Sequence, residues 1–193
     1  MHNDTISMTD EEIVALSLTD TAFFGHIVSR YEGKLSTYIR RLGIRTKEDR
    51  EDVLQNIFIK VYKNLNGFDT SLSFSSWIYR IAHNEAISWY RKSVVRPEGH
   101  LVDSGEDILA LVSSPEATAE KLFDEKVNAR ELERALRAVP EKYRDPLILR
   151  FFEHKEYDEI GDILKIPQGT VGTLIHRGKQ ALRDQLQTSH LHV

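Results

Sequence analysis

Residues 157–177 read YDEIGDILKIPQGTVGTLIHR, and the fold is decided there. Ile160, Ile163 and Leu164 fall on one side of a short helix. Ile166-Pro167-Gln168-Gly169 is a breaker cluster and reads as a turn. A second helix then starts near Thr170, with Val171, Leu174, Ile175 and Leu182 on its buried side. Two helices joined by a tight turn form a helix-turn-helix, which lays its second helix in the major groove of DNA. From Gln168 to Arg183 the only charges are Arg177, Lys179 and Arg183, a local +3 that suits phosphate contact. The same pattern also describes an ordinary hairpin in a helical bundle, so the motif alone leaves both readings open.

Upstream, every strong periodicity is helical. Thr9-Asp10-Glu11-Glu12 carries a capping box, with Thr9 as N-cap and Glu12 as its partner. Phe23, Phe24, Ile27, Val28 and Tyr31 keep helical spacing, as do Leu35, Tyr38, Ile39 and Leu42. Between Asp52 and Leu65, the residues Val53, Leu54, Ile57, Phe58, Val61, Tyr62 and Leu65 form one broad apolar stripe. Asp52, Gln55, Asn56, Ile59 and Lys63 fall opposite it, and Gly67 ends the helix. Another helix is expected from a cap at Ser75 or Ser76 to about Lys92. Leu132, Leu136 and Val139 precede Pro140, and a further helix is placed around Pro146 to Phe152. No stretch alternates as a strand does. The expected class is all-α, with two small helical domains.

The 193 residues carry 26 Lys+Arg against 30 Asp+Glu, a formal charge of −4. A DNA-binding domain is usually basic, so the total points away from nucleic acid. Its distribution does not. Residues 98–125 hold eight acids and Lys121 alone as a base, −7, which leaves +3 for the flanks. Arg96-Pro97-Glu98-Gly99 and Ser113-Ser114-Pro115 mark this segment as a linker. The expected organisation is a domain at 10–95, an acidic linker at 96–125 and a domain at 126–187. Such a linker, lying near basic helices, would oppose DNA binding without a partner.

Zero cysteines exclude disulfides, thiolate nucleophiles and Cys-ligated zinc, and they fit a reducing cytoplasm. The eight histidines lack paired ligand spacing, and no Gly-rich phosphate loop or nucleophile elbow is present. The expectation is therefore no enzyme, no metal and no cofactor. No apolar run nears the ~20 residues of a membrane span, and the first 25 residues lack a signal pattern. A cytoplasmic protein without membrane insertion is expected. Residues 68–92 interleave aromatics with cations, an arrangement suited to unpaired bases. For most of these rings, Trp77, Tyr79 and Trp89 among them, packing in a helical core is the simpler reading.

Three motifs in register, 52–58, 74–84 and 157–177, separated by the acidic linker, resemble a bacterial RNA polymerase sigma factor of the sigma-70 family. The short two-domain layout is similar to the extracytoplasmic-function group. The resemblance covers about 20–92 and 128–186. It implies core RNA polymerase, through its β′ and β subunits, and promoter DNA as partners, with an anti-sigma factor as restraint. It implies that Asp52, Gln55, Asn56 and Ile59 face a β′ coiled coil. An exposed Ile beside Asp and Gln is also natural for an interface.

The resemblance further implies that residues 68–92 open the −10 element and capture a flipped base. Phe68, Asp69, Thr70, Ser71 and Leu72 would supply the pocket. Asn84, with donor and acceptor on one amide, would read the base, while Arg80, Arg91 and Lys92 hold phosphates. The C-terminal domain would recognise the −35 element. There the sequence departs from the family, with Gly172, Thr173 and Leu174 where a base, Ser and Arg are common. Gln168, Thr170, Thr173, His176, Arg177 and Lys179 remain as candidates. Two other readings stay open: a helix-turn-helix regulator that needs no polymerase, and an adaptor that binds only protein.

Overall fold

The computed structural model describes residues 8–69, 72–95 and 129–190. The acidic segment 96–125 and the candidates Thr70 and Ser71 lie outside the described residues. The rest is helical throughout: eight α-helices, two 3₁₀ turns and no strand among the described residues. The chain divides into two compact units, one built mainly from the helices before residue 96 and one mainly from those after residue 128.

The N-terminal unit holds α1 (Asp10–Thr19), α2 (Phe24–Leu42), α3 (Lys47–Asn64) and α4 (Phe74–Val95). The expected capping box is present: Thr9 Oγ1 accepts from Glu12 N–H at 3.2 Å, and Glu12 Oε2 accepts from Thr9 N–H at 2.8 Å. α2 buries Ile27, Tyr31, Leu35, Tyr38, Ile39 and Leu42, one stripe at helical spacing. α3 begins earlier than its apolar stripe, because Thr46 accepts from Asp49 N–H and starts the helix five residues before Asp52. The stripe is also narrower than expected. Tyr62 is 48% exposed and Phe58 half-buried, so the buried line is Val53, Leu54, Ile57 and Val61. α4 starts at Phe74 rather than after Ser75 or Ser76. Ser73 is the true cap, its hydroxyl accepting from Ser76 N–H at 3.2 Å, the N3 contact that defines an N-cap.

α2 ends in a Schellman-type turn. Ile44 N–H returns to Ile39 O at 3.1 Å, and Gly43 N–H to Arg40 O at 2.9 Å. Gly43 sits at φ +120°, a conformation L side chains rarely adopt. The turn is latched from α4, where the Tyr90 hydroxyl donates to Leu42 O at 2.8 Å.

After residue 128 come α5 (Ala129–Ala138), α6 (Glu141–Phe151), α7 (Tyr157–Leu164) and α8 (Gln168–His190). α6 starts at Glu141, with Pro140 as its N-cap residue, and carries Pro146 inside it. The expectation of a start near Pro146 fails because the proline costs the helix one backbone bond while Pro146, Leu147, Ile148 and Leu149 all enter the core. Asp145 is buried beside them, its carboxylate accepting from Arg144 Nε at 3.1 Å. Burial pushes its carboxyl up to about 6 despite that arginine. With the folded value above the unfolded one, Asp145 favours folding at acid pH, and this contribution is lost as pH rises through about 6.

A Cβ at Gly43 would lie 2.0 Å from the Tyr90 hydroxyl oxygen, on a backbone already strained for any other residue. Gly43→Ala is expected to destabilise the chain by about 2–4 kcal/mol, from positive-φ strain plus the displaced hydrogen bond. A urea unfolding midpoint equal to that of the wild type contradicts the latch.

Candidate nucleic-acid and polymerase interfaces

On α3 the buried line leaves one flank clear. Asp52, Gln55, Asn56 and Ile59 are all exposed on it, Ile59 by 42%. Asn56 donates to Asp52 O at 2.9 Å and so lies along its own helix. Next to this flank runs an apolar groove of about 610 Å³, lined by Phe24 and Val28 of α2 and by Gln55, Phe58, Ile59 and Tyr62 of α3. The rings of Phe24 and Tyr62 meet edge-on at 5.1 Å and form its wall. Phe58 and Tyr62 belong to the apolar stripe that spacing predicts for α3, yet here they line a groove open to solvent. Period-3.6 patterning cannot separate a buried stripe from an apolar surface beside it.

The loop candidates divide by depth. Phe68 is 8% exposed, its ring tilted against Trp77 at 5.1 Å and edge-on to Phe74 at 5.4 Å. It is the floor of this region and not its open face. Asp69 and Leu72 are exposed, Leu72 by 53%, and Leu72 N–H bonds Asp69 O at 3.0 Å. On α4, steps of four and seven residues put Arg80, Asn84 and Arg91 on one side, with Lys92 adjoining. Arg80 is half-buried, while Asn84, Arg91 and Lys92 are exposed. Tyr79 is buried against Tyr38 at 5.1 Å, as the core reading of the rings requires, whereas Trp77 and Trp89 are only half-buried.

The helix-turn-helix differs from its sequence reading in one respect. α7 ends at Leu164, and the turn is Lys165-Ile166-Pro167, so Gln168 and Gly169 belong to α8. Lys165 takes φ 55°, and Ile166 N–H returns to Gly161 O at 3.0 Å, a Schellman closure without its usual glycine. Gly161 leaves room for this closure, because a Cβ there would stand a tight 3.0 Å from Ile166 O. Thr170 N–H bonding Pro167 O at 2.8 Å then starts α8 at once. Gln168, Thr170, Thr173, His176 and Arg177 are exposed. Lys179 is half-buried, its ammonium 4.8 Å from the Phe151 ring centre. Arg177 and Lys142 both hydrogen-bond the Tyr143 hydroxyl of α6, which holds that phenol below its usual value, Lys142 contributing first. Gly172 faces the Tyr157 ring, which a Cβ would meet at an ordinary 3.5 Å, and Leu174 is half-buried.

α8 crosses α6 at Gly178. A Cβ there would stand 2.8 Å from both Tyr143 O and Leu147 Cγ. Gly178 continues the buried stripe of Val171, Ile175 and Leu182, whereas Gly169 lies off it and its Cβ position is open. Among the described residues there is no cluster of three or more metal-ligating side chains, and no helix long and apolar enough to cross a membrane.

The chain thus presents two compact all-α units, one with an exposed polar and cationic face on α4 and one with a helix-turn-helix. Residues 27–94 match the family described as Sigma-70 region 2, and residues 129–182 match Sigma-70 region 4. The chain is 34% identical over 185 residues to the ECF RNA polymerase sigma factor SigW of Bacillus subtilis, covering 93% of this chain and 97% of that one. It is 30% identical over 190 residues to the ECF RNA polymerase sigma-E factor of Haemophilus influenzae, with 93% and 96% covered. In fold it is similar to CnrH, solved in complex with the cytosolic domain of CnrY. The TM-score is 0.69 at 20% identity, over 93% of this chain and 97% of that one. It is similar also to the Bartonella quintana sigma factor RpoE, solved with the anti-sigma factor NepR, at TM-score 0.63 and 19% identity over 85% and 96%. The chain belongs to the extracytoplasmic-function group of the sigma-70 family and is a promoter-specific sigma factor of RNA polymerase. With the N-terminal half matching region 2, the reading as a regulator independent of polymerase is not favoured.

Gly178→Ala is expected to destabilise the chain by about 1–3 kcal/mol through overpacking. Gly169→Ala, in open space on the same helix, should stabilise it by up to about 1 kcal/mol. Thermal unfolding of the two variants tests the crossing, which equal signs would contradict.

Proposed function

We propose that residues 10–95 bind core polymerase and open the −10 element, that 96–125 link the domains, and that 126–187 read the −35 element. The observation that carries this reading is the match to both sigma regions in chain order. The flank of Asp52, Gln55, Asn56 and Ile59 docks on the β′ coiled coil, and the adjoining groove at Phe24 and Tyr62 extends that surface. An exposed isoleucine continuous with an apolar groove has more to gain from a protein partner than from water.

In the open complex Asn84 reads a non-template base while Asp69 and Leu72, with Thr70 and Ser71, enclose it and Phe68 supports the loop from below. Arg80, Arg91 and Lys92 hold the backbone. Flipping a base costs a few kcal/mol, offset here by pocket contacts and phosphate neutralisation without nucleotide hydrolysis. The chain thus acts by binding and not as an enzyme, in the cytoplasm where polymerase works. Gln168, Thr170, Thr173, His176, Arg177 and Lys179 contact the −35 element, with Tyr157 covering the place where Gly172 leaves no side chain. A contact surface of that reduced size makes DNA binding depend on polymerase, and an anti-sigma factor restrains the chain by competing for it.

The test is in vitro transcription with core polymerase over a promoter library, reading 5′ ends. Discrete starts are expected only when the chain is added; operator binding with no such starts contradicts the reading. Gln55→Arg with Ile59→Arg is expected to abolish association with core, and unchanged affinity removes that flank from the interface. Asn84→Ala is expected to keep core affinity and to reduce opening about tenfold, the scale of one lost buried polar contact. Equal loss of both activities contradicts its role.

A further inference from the structure

α1 opens with three consecutive acids, and each has a different partner. Glu12 closes the capping box of α1 itself. Asp10 pairs with Arg30 and accepts from the Tyr31 hydroxyl, both on α2. Glu11 reaches across 63 residues of sequence, where its Oε1 accepts the Phe74 N–H at 3.2 Å. That amide is the first donor of α4 and one of the four that a helix leaves without an internal partner. A carboxylate there also meets the positive end of the helix dipole.

The same spot is gripped a second time. The Tyr31 ring packs edge-on against Phe74 at 5.7 Å, and its hydroxyl is hydrogen-bonded to Ser75 as well as Asp10. Burial, the largest cause, raises the Tyr31 phenol far above its usual range, so it stays a donor to Asp10 at any pH of interest. α1 and α2 together therefore hold the first two residues of α4. Immediately before them come Ser73 and the exposed Leu72, tied to Asp69.

We propose that Glu11 is a positioning residue for promoter opening: by anchoring the Phe74 amide it fixes the geometry at which Asp69 and Leu72 meet the flipped base. The proposal rests on the −10 role assigned to this loop above. Capturing a base requires the receiving groups to be in place before the strand opens, because ordering them during the event adds to the barrier. Glu11 itself touches no DNA in this scheme. The helix start survives its removal, since Ser73 caps Ser76 independently. The flank assigned to core binding lies on α3, whereas the Glu11 carboxylate bonds at the start of α4.

The experiment compares wild type, Glu11→Ala and Glu11→Gln as full-length chains with core polymerase. Core affinity and thermal unfolding are measured first. Opening is then followed by 2-aminopurine fluorescence at the −10 element, on duplex promoter and on a template already mismatched there. Glu11→Ala is expected to hold core affinity within about twofold and to open duplex about tenfold more slowly, the scale of one lost charge-assisted hydrogen bond. The mismatched template should recover most of that loss. Glu11→Gln keeps an acceptor oxygen and is expected to recover more than half of the wild-type rate. Opening by Glu11→Ala at the wild-type rate overturns the proposal. So does a loss shared equally by core affinity and the mismatched template, or a glutamine variant no better than alanine. A wild-type chain that opens no duplex counts against the sigma reading itself, whereas failure confined to these comparisons removes only the role of Glu11.

Discussion

The N-terminal domain depends on the burial of one ring at one helix terminus. Phe74 has no exposed surface, and its ring meets Tyr31, Phe68 and Trp77 at centroid distances of 5.7, 5.4 and 5.6 Å. Those three residues come from α2, from the loop and from α4 itself. Burying an aromatic of this size is worth a few kcal/mol, and edge contacts add to it. Because the ring is also the first residue of α4, the energy that closes the core sets where α4 begins. The solvent side of α4 then follows: with Phe74, Ile78, Ala82 and Ala86 turned inward, Asn84, Arg91 and Lys92 face out.

The same economy governs both domains. Each long helix buries one stripe and leaves its opposite flank unspent, and the candidate contact residues sit on those flanks. α8 buries Val171, Ile175, Leu182 and Leu186 while Thr170, Thr173 and Arg177 stay in solvent. A sigma factor must present a protein-binding face and a DNA-binding face on a small domain, and helices with narrow stripes allow it.

The fold class was legible in the sequence because helical periodicity is a local signal, which located the stripes on α2, α3 and α8 but not the width of the one on α3. The capping box at Thr9 was legible for the same reason. Helix starts were harder. The sequence reading places the α4 cap at Ser75 or Ser76, and the burial of Phe74 goes with a cap at Ser73 instead. Pro146 reads as a boundary, yet four buried residues in a row outweigh it. At the candidate sites, the exposure of Gln55, Ile59 and Asn84 could be anticipated from spacing. Their partners in space could not. The reach of Glu11 to Phe74, the groove between Phe24 and Tyr62 and the crossing at Gly178 join residues whose proximity no local pattern encodes. The departures at Gly172 and Leu174 were visible, but that a tyrosine ring faces Gly172 was not.

The crossing at Gly178 also sets a mechanical scale. Ten residues separate it from Gln168, about 15 Å along the helix axis. The tip of α8 is thus the end of a lever pivoting where Tyr143 O and Leu147 press against the bare α-carbon. A tilt of about 5° at the pivot moves the tip by roughly 1.3 Å, enough to spoil a hydrogen bond to a base edge. In the −35 role proposed for Thr170, its aim is therefore set at Gly178, outside the proposed contact residues. Drift in the core of this domain, even where the fold survives, reaches the promoter as an error in aim.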